Sequence, residues 1–85
     1  MSRIPMFIPG SVAGALPNGT RIRKVNSQPG DGHADGDQGT VLASHGPVEV
    51  PDLGTELLYF IDWDSHPGVP VGTIGSKIDK LGRTT

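Results

Sequence analysis

The chain contains no cysteine, few aromatic residues and no long hydrophobic run. Its 85 residues include 13 glycines and 8 prolines but only one tryptophan, one tyrosine and two phenylalanines. Without cysteine, neither a disulfide framework nor a thiolate zinc site can support so small a domain. The apolar stretch near residue 8 is too short to span a bilayer and is interrupted by Pro5 and Pro9. We therefore expect a cytoplasmic protein without a membrane segment.

Charge is segregated along the chain, although the formal net charge is only −2. Residues 1–30 hold four basic side chains and no acidic one, whereas residues 31–64 hold eight acidic side chains and no basic one. Residues 65–85 hold three basic side chains and one acidic one. This pattern predicts separate positive and negative surfaces, which can guide self-assembly or attract an anionic ligand.

Five short strands are predicted within a domain over 19–82, because glycine and proline leave little room for helices. An N-terminal arm over 1–18 is expected to be flexible, and the tail over 83–85 is expected to be disordered. The stretch 45–55, HGPVEVPDLGT, is predicted to be a turn-rich loop. The predicted strands cover 20–25, 39–44, 57–64, 69–73 and 78–81, and one 3-10 turn over 75–77 precedes the last strand.

The segment 57–64, LLYFIDWD, gives the strongest strand signal in the sequence. Its alternate apolar residues are predicted to face the core: Leu57, Tyr59, Ile61 and Trp63. The other face begins with Leu58 and Phe60, which Met6-Phe7-Ile8 of the arm or a second copy of the chain could cover. A bulge that turns Phe60 inward is the third possibility. Five short strands around one small core predict an all-β fold, a five-stranded Src-homology-3-like (SH3-like) barrel.

The loop 30–41, GDGHADGDQGTV, superficially matches a calcium-binding loop. Asp31 and Asp35 fit part of the pattern, but His33 is a poor calcium ligand. The position that requires a bidentate glutamate is Leu42, and strands rather than helices flank the loop. We therefore predict a solvated hairpin loop and assign no metal site.

Two further clusters of polar residues are open to both a functional and a structural interpretation. Asp62, Asp64 and His66 would point to one side of an extended strand, where two of them could hold a cation. A solvated sheet face has the same residue pattern, and we prefer this structural interpretation to a metal site. Arg21, Arg23 and Lys24 form a short basic cluster. Nucleic-acid modules usually add stacking aromatic residues and a positive net charge, so we do not expect nucleic-acid binding.

Three segments carry a resemblance to a known family: 21–24, RIRK, 38–41, QGTV, and 59–68, YFIDWDSHPG. They resemble motifs of the type II dihydrofolate reductases, plasmid-borne enzymes that confer trimethoprim resistance. The segment 21–24, RIRK, is similar to that family's Arg-Val-Arg-Lys opening strand, and 38–41, QGTV, is similar to its Gln-Gly-Gln-Ile. The segment 59–68, YFIDWDSHPG, resembles the family's YAVESEAHPG, and the spacing from there to 78–81, IDKL, is also similar. The resemblance covers about residues 19–81 and implies an SH3-like barrel that assembles as a homotetramer around one pore.

The chain departs from this family at the strand that lines the pore. The family's Val-Gln-Ile-Tyr holds the nicotinamide and the pterin, whereas the matching residues here are Pro70, Val71, Gly72 and Thr73. Lys24 matches the lysine that attracts the glutamate tail of folate. The resemblance therefore implies a ligand site formed by Lys24, Val71, Gly72 and Thr73, but without the glutamine and tyrosine that orient the two ligands.

Two functions are compatible with these residues. The favoured hypothesis is a non-enzymatic SH3-like binding module without a cofactor, which binds a protein partner or weakly self-associates. The alternative is a reductase that uses NADPH and dihydrofolate, with Lys24 and the backbone of 71–73 holding the ligands. The sequence contains no Ser-His-Asp, phosphate-loop or dinucleotide-binding pattern, so no catalytic residue is assigned.

Overall fold

The computed structural model describes residues 10–82, and over this range the protein is a single antiparallel β-sheet. Met6-Phe7-Ile8 and the tail over 83–85 lie outside the described residues. The predicted all-β class and the 3-10 turn are confirmed. In chain order the elements are β1 (Arg21–Lys24), β2 (Gln38–Val50), β3 (Gly54–Trp63), β4 (Pro70–Ile74), the 3-10 turn η1 (Gly75–Lys77) and β5 (Ile78–Lys80).

The strand order is β4-β3-β2-β1-β5, so β4 and β5 are the two edges of the sheet. The sheet is not closed into the barrel expected from the sequence, because no backbone pairing joins β4 to β5 within residues 10–82. After β4, the three residues of η1 lead directly into β5, which pairs with β1 instead. No helix in the described range is long and apolar enough to cross a membrane.

The prediction of a loop over 45–55 was wrong, because most of this stretch belongs to a long β2–β3 hairpin. The two strands pair as far as Val50 and Gly54, so only three residues form the turn. Gly46 and Pro47 had suggested a loop. They lie at a shift in register between His45 and Val48, where the strand tolerates a residue without a ladder donor.

The core lies on one face of the sheet. Tyr59, Ile61 and Trp63 of β3 are buried as predicted, and Leu57 packs against them while partly buried. This follows from the period-two alternation of side chains along an extended strand. The other strands complete the cluster with Ile22 from β1, Val41 from β2 and Ile78 from β5.

Leu58 and Phe60 lie on the opposite face of β3 and are partly buried. Phe60 keeps its place in the alternation of β3, so the third possibility, an inward turn of this side chain, does not occur. The irregularity lies instead on β2, between Val41 and Ala43. The His45 ring packs edge-on against Phe60, with ring centroids 5.4 Å apart.

The described part of the predicted arm, 10–18, is attached to the sheet. The Ser44 amide of β2 donates to the Gly10 carbonyl at 2.9 Å. The Leu16 amide donates to the Tyr59 hydroxyl at 3.0 Å, and Leu16 packs against the core. Tyr59 therefore buries its ring in the core while its hydroxyl holds the segment that precedes β1.

Candidate functional site

A cleft of about 240 Å³ lies between β4 and the loop that joins β1 to β2. The structure brings all four residues of the predicted ligand site, Lys24, Val71, Gly72 and Thr73, to this cleft. The sequence had assigned no role in this site to the other four lining residues. The complete lining is Lys24, Asp31, His33, Val71, Gly72, Thr73, Ile74 and Lys77.

Lys24 enters the cleft from the inner face of the sheet. It is two residues from the core residue Ile22 on β1, so strand alternation turns it inward, and only 3% of it is exposed. Its Nζ donates to the Ser27 hydroxyl at 2.9 Å, to the Val25 carbonyl at 3.1 Å and to Asp31 Oδ2 at 3.0 Å. These partners satisfy all three donors of the buried ammonium group.

Asp31 joins two lysines that are far apart in the sequence. Its Oδ2 also accepts from Lys77 Nζ at 2.8 Å and from the Gln28 amide at 2.9 Å. The hydrogen bond from Lys77, then that from Gln28, then that from Lys24 hold the pKa of the Asp31 carboxyl far below its usual range. Two ammonium groups share one carboxylate, so this trio of side chains carries a surplus of one positive charge.

His33 covers the core residue Trp63 beside the cleft. The two rings stack with centroids 4.4 Å apart and an interplanar angle of 21°, and His66 meets the His33 ring edge-on at 5.8 Å. The Nε2 of His33 and the Nε1 of Trp63 are buried without a hydrogen-bond partner. His33 therefore stacks on the core residue Trp63 and also contributes to the lining of the cleft.

The glycine-rich loop (residues 25–37, between β1 and β2) is mostly exposed, in agreement with the predicted solvated hairpin loop, and its acids also bind the loop's own backbone. Asp35 Oδ1 accepts from the Ser27 amide at 2.8 Å, and Asp37 Oδ2 accepts from the Ala34 amide at 3.1 Å. Together with Asp31, these acids shape the loop internally. Over residues 10–82, no group of three histidine, cysteine, aspartate or glutamate side chains could hold a metal ion.

Apart from Lys24, the residues of the two polar clusters noted in the sequence do not line the cleft. Strand β3 ends at Trp63, and Asp64 beyond it accepts two hydrogen bonds from Arg21, at 2.8 and 2.5 Å. These bonds lower the pKa of Asp64. Asp62 Oδ1 accepts from the Gly68 amide at 3.0 Å and so fixes the turn after β3. Acidic and basic residues here pair with each other across the surface.

One sequence signal could have found Asp31, but none could have found His33. A lysine that occupies an inward position of an alternating strand needs a counter-charge, because burial of an unpaired charge is costly. Asp31 is the first acidic residue after Lys24 in the chain. The stacking of His33 on Trp63 joins residues 30 positions apart through loop geometry, which no spacing rule predicts.

Comparison of the chain with protein-family models, with curated proteins and with solved structures found no match. The chemistry of the cleft is therefore the basis for the function proposed below.

Proposed function

We propose that the chain is a non-enzymatic binding module with the architecture of an SH3-like barrel, and that the cleft beside β4 is its ligand site. The single observation that carries this proposal is the convergence of Lys24, Asp31 and Lys77 on a concave space. Support for the barrel comes from the continuous β2-β3-β4 meander, the pairing of β1 with β5 and the 3-10 turn before β5.

Binding is favoured over catalysis because the cleft's charged groups already have partners. Asp31 accepts three hydrogen bonds through one oxygen, and the Lys24 ammonium has three acceptors. A general base must be free to take a proton, and a nucleophilic lysine must be neutral. The arrangement is suited to holding charge rather than to moving protons.

The cleft is suited to a small anionic group. The surplus positive charge lies beside the apolar residues Val71 and Ile74 of the cleft wall. The cleft volume of about 240 Å³ is smaller than the roughly 300–1,000 Å³ of sites for drug-sized ligands, so the ligand group is small. A carboxylate can reach the Lys77 ammonium, which is partly exposed, whereas Lys24 is buried behind Asp31. We assign Lys77 as the primary contact and Lys24 as its electrostatic support.

The alternative function is a type II dihydrofolate reductase-like enzyme that uses NADPH and dihydrofolate. It is favoured by the position of Lys24 and the 71–73 backbone around one cleft. Against it, Lys24 is engaged by Asp31, and Val71, Gly72 and Thr73 offer a single polar side chain for orienting two large ligands. Proximity contributes to catalysis only when both reactants are held in a productive geometry.

Fluorescence of Trp63 can distinguish the two functions. Trp63 is the only tryptophan, and His33 links it to the cleft by direct stacking. Titration with NADPH and then dihydrofolate should give no saturable change if the chain is a binding module for other ligands. Saturable binding of both at micromolar concentration, with oxidation of NADPH, would establish the reductase instead.

A second titration tests the anion site itself. Sodium acetate, compared with sodium chloride at equal ionic strength, should shift the amide resonances of Gly72, Thr73 and Lys77 in NMR spectra. Lys77→Gln should abolish the shifts, whereas the matched change Lys80→Gln, on exposed β5 residue Lys80, should leave them intact. Equal responses of both variants to acetate would refute the proposed site.

We propose that the macromolecular partner is another protein or a second copy of the chain. Nucleic acid is not a proposed partner, and the proposed location is the cytoplasm. The partly buried Leu58 and Phe60 and the segregated charges support weak self-association. Sedimentation velocity at low and high salt should show a monomer with weak, salt-sensitive association. A tetramer that persists on dilution would favour the reductase-like assembly.

A further inference from the structure

Strand β4 has one edge that no described strand occupies. It pairs with β3 through five consecutive residues and is the last strand on that side of the sheet. Alternate residues of an antiparallel strand direct their N–H and C=O groups to opposite sides. An edge of this kind therefore presents unpaired backbone donors and acceptors to an incoming chain.

Gly72 lies at the centre of this edge strand, and its own surroundings do not require glycine. A methyl group at this position would meet Leu58 and Phe60 at 3.6 Å, which is ordinary contact, and the residue has no positive φ. Glycine within a strand often marks a place where another backbone approaches closely. Gly72 is also exposed and lines the cleft, so the open side of β4 is where such an approach can occur.

The positive surplus is located at one end of the same strand. Lys77 follows Ile74, the last residue of β4, by three positions, and its ammonium lies at the cleft. Val69, just before the other end of β4, is 56% exposed. A strand of five residues spans about 17 Å. Along this length the surface has apolar Val69 at one end, the open edge of β4 in the middle and cationic Lys77 at the other end.

We infer that an extended peptide bearing a carboxylate adds to the sheet beside β4, with its carboxylate at Lys77. This inference rests on the proposed function and specifies its ligand class. Main-chain hydrogen bonds to the strand edge supply affinity, and the carboxylate supplies register and charge specificity. The cleft volume of about 240 Å³ suits one acidic side chain or one chain terminus, and the rest of the peptide lies along the edge.

Peptide selection followed by hydrogen exchange tests this inference. Immobilised protein would be exposed to two pools of random heptapeptides, one with free C-terminal carboxyl groups and one with C-terminal amides. Enrichment of acidic side chains in both pools would identify an Asp or Glu contact, and enrichment restricted to the free-acid pool would identify terminal carboxylate capture. Each enriched peptide should slow exchange of amides within 71–74 at least tenfold, because strand addition protects backbone donors.

Charge-neutralising variants provide the matched control. Lys77→Gln should reduce affinity for the enriched peptides at least tenfold, whereas Lys80→Gln should change it less than twofold. Enriched peptides without carboxylates, or binding that leaves exchange in 71–74 unchanged, would overturn the peptide inference. If the chain itself protects 71–74 at high concentration, the edge belongs to a self-interface and the inference also fails.

The acetate titration separates this inference from the function on which it rests. Acetate binding at Lys77 without any enriched peptide would retain the anion site and reject strand addition. Failure of both acetate and peptides to bind would reject the site altogether. Acetate and peptide should compete, and each should shift the Lys77 amide in wild-type protein.

Discussion

The His33 ring stacks on the Trp63 indole, with ring centroids 4.4 Å apart and an interplanar angle of 21°, and covers the core beside the cleft. This contact connects a glycine-rich loop with the most deeply buried aromatic residue of β3. The loop is thereby held at two places, by the stack at His33 and by the ion pairs at Asp31. Its position defines the wall of the cleft that faces β4.

His33→Ala should uncover Trp63 and loosen this loop. The stacked pair is worth about 0.5–1.5 kcal/mol beyond the buried area, so a comparable loss of unfolding free energy is expected. The tryptophan emission maximum should move to longer wavelength, because water reaches an indole that is fully buried in the wild type. His45→Ala, on the opposite face of the sheet, should leave the emission unchanged. An unshifted spectrum in His33→Ala would contradict the stack.

Truncation of the core should be severe for so small a domain. Trp63→Ala and Ile61→Ala should each cost about 2–5 kcal/mol, because both side chains are fully buried, and total stabilities are typically about 5–15 kcal/mol. Trp63→Phe should cost less, since it also removes an indole N–H that has no partner. Leu53→Ala, at a residue that is 52% exposed, should stay within about 0.5 kcal/mol. Urea denaturation measures all four.

Two glycines in strands should respond in opposite ways to alanine. A methyl group at Gly39 would lie 2.7 Å from Ile61 Cγ2 and 2.9 Å from the Asp62 carbonyl oxygen. Backbone cannot move aside easily, so Gly39→Ala should destabilise by about 1–3 kcal/mol. Gly72→Ala meets only ordinary contacts and should be neutral or slightly stabilising. Thermal melts of the two variants, made side by side, would reveal any reversal of this order.

The sequence predicted the parts of the fold that depend on local periodicity. The alternation of Tyr59, Ile61 and Trp63 identified β3 and its buried face, and the short stretch before Ile78 identified the 3-10 turn. The sequence also identified the parts of β2 and β3 farthest from the hairpin turn, residues 39–44 and 57–63. These features follow from side-chain direction in an extended strand, which is fixed within a few residues.

Features that depend on long-range pairing could not be predicted in the same way. Gly46 and Pro47 signal a loop locally, but the register shift in the β2–β3 ladder absorbs them. Whether β4 and β5 meet depends on the curvature of the whole sheet. In the cleft, Lys24 was predicted as a ligand residue from the resemblance to a known family. Lys77 and Asp31 could not be predicted, because they come together only when η1 and the glycine-rich loop fold against β1.

The final prediction concerns the dependence of stability on pH. The pKa of Asp31 is lowered in the folded protein, first by Lys77. The folded state therefore binds this proton less readily than the unfolded state, whose aspartate pKa is about 3.9. The stabilisation is present above that value and is lost as the pH falls through the lower, folded-state pKa. Asp31→Asn should lower the melting temperature at pH 7 and flatten its decline below pH 4.

Asp52→Asn is the matched control for this change. Asp52 lies in the exposed hairpin turn with φ of 68°, a conformation that asparagine tolerates. Its variant should follow the wild-type decline, because Asp31 with its two lysines remains, as does the Arg21–Asp64 pair that lowers the pKa of Asp64. If Asp31→Asn and wild type lose stability in parallel from pH 5 to pH 2, Asp31 does not hold the charge that fixes the loop. The proposed charge balance of the cleft, in which Lys24 and Lys77 share the Asp31 carboxylate, would then be wrong.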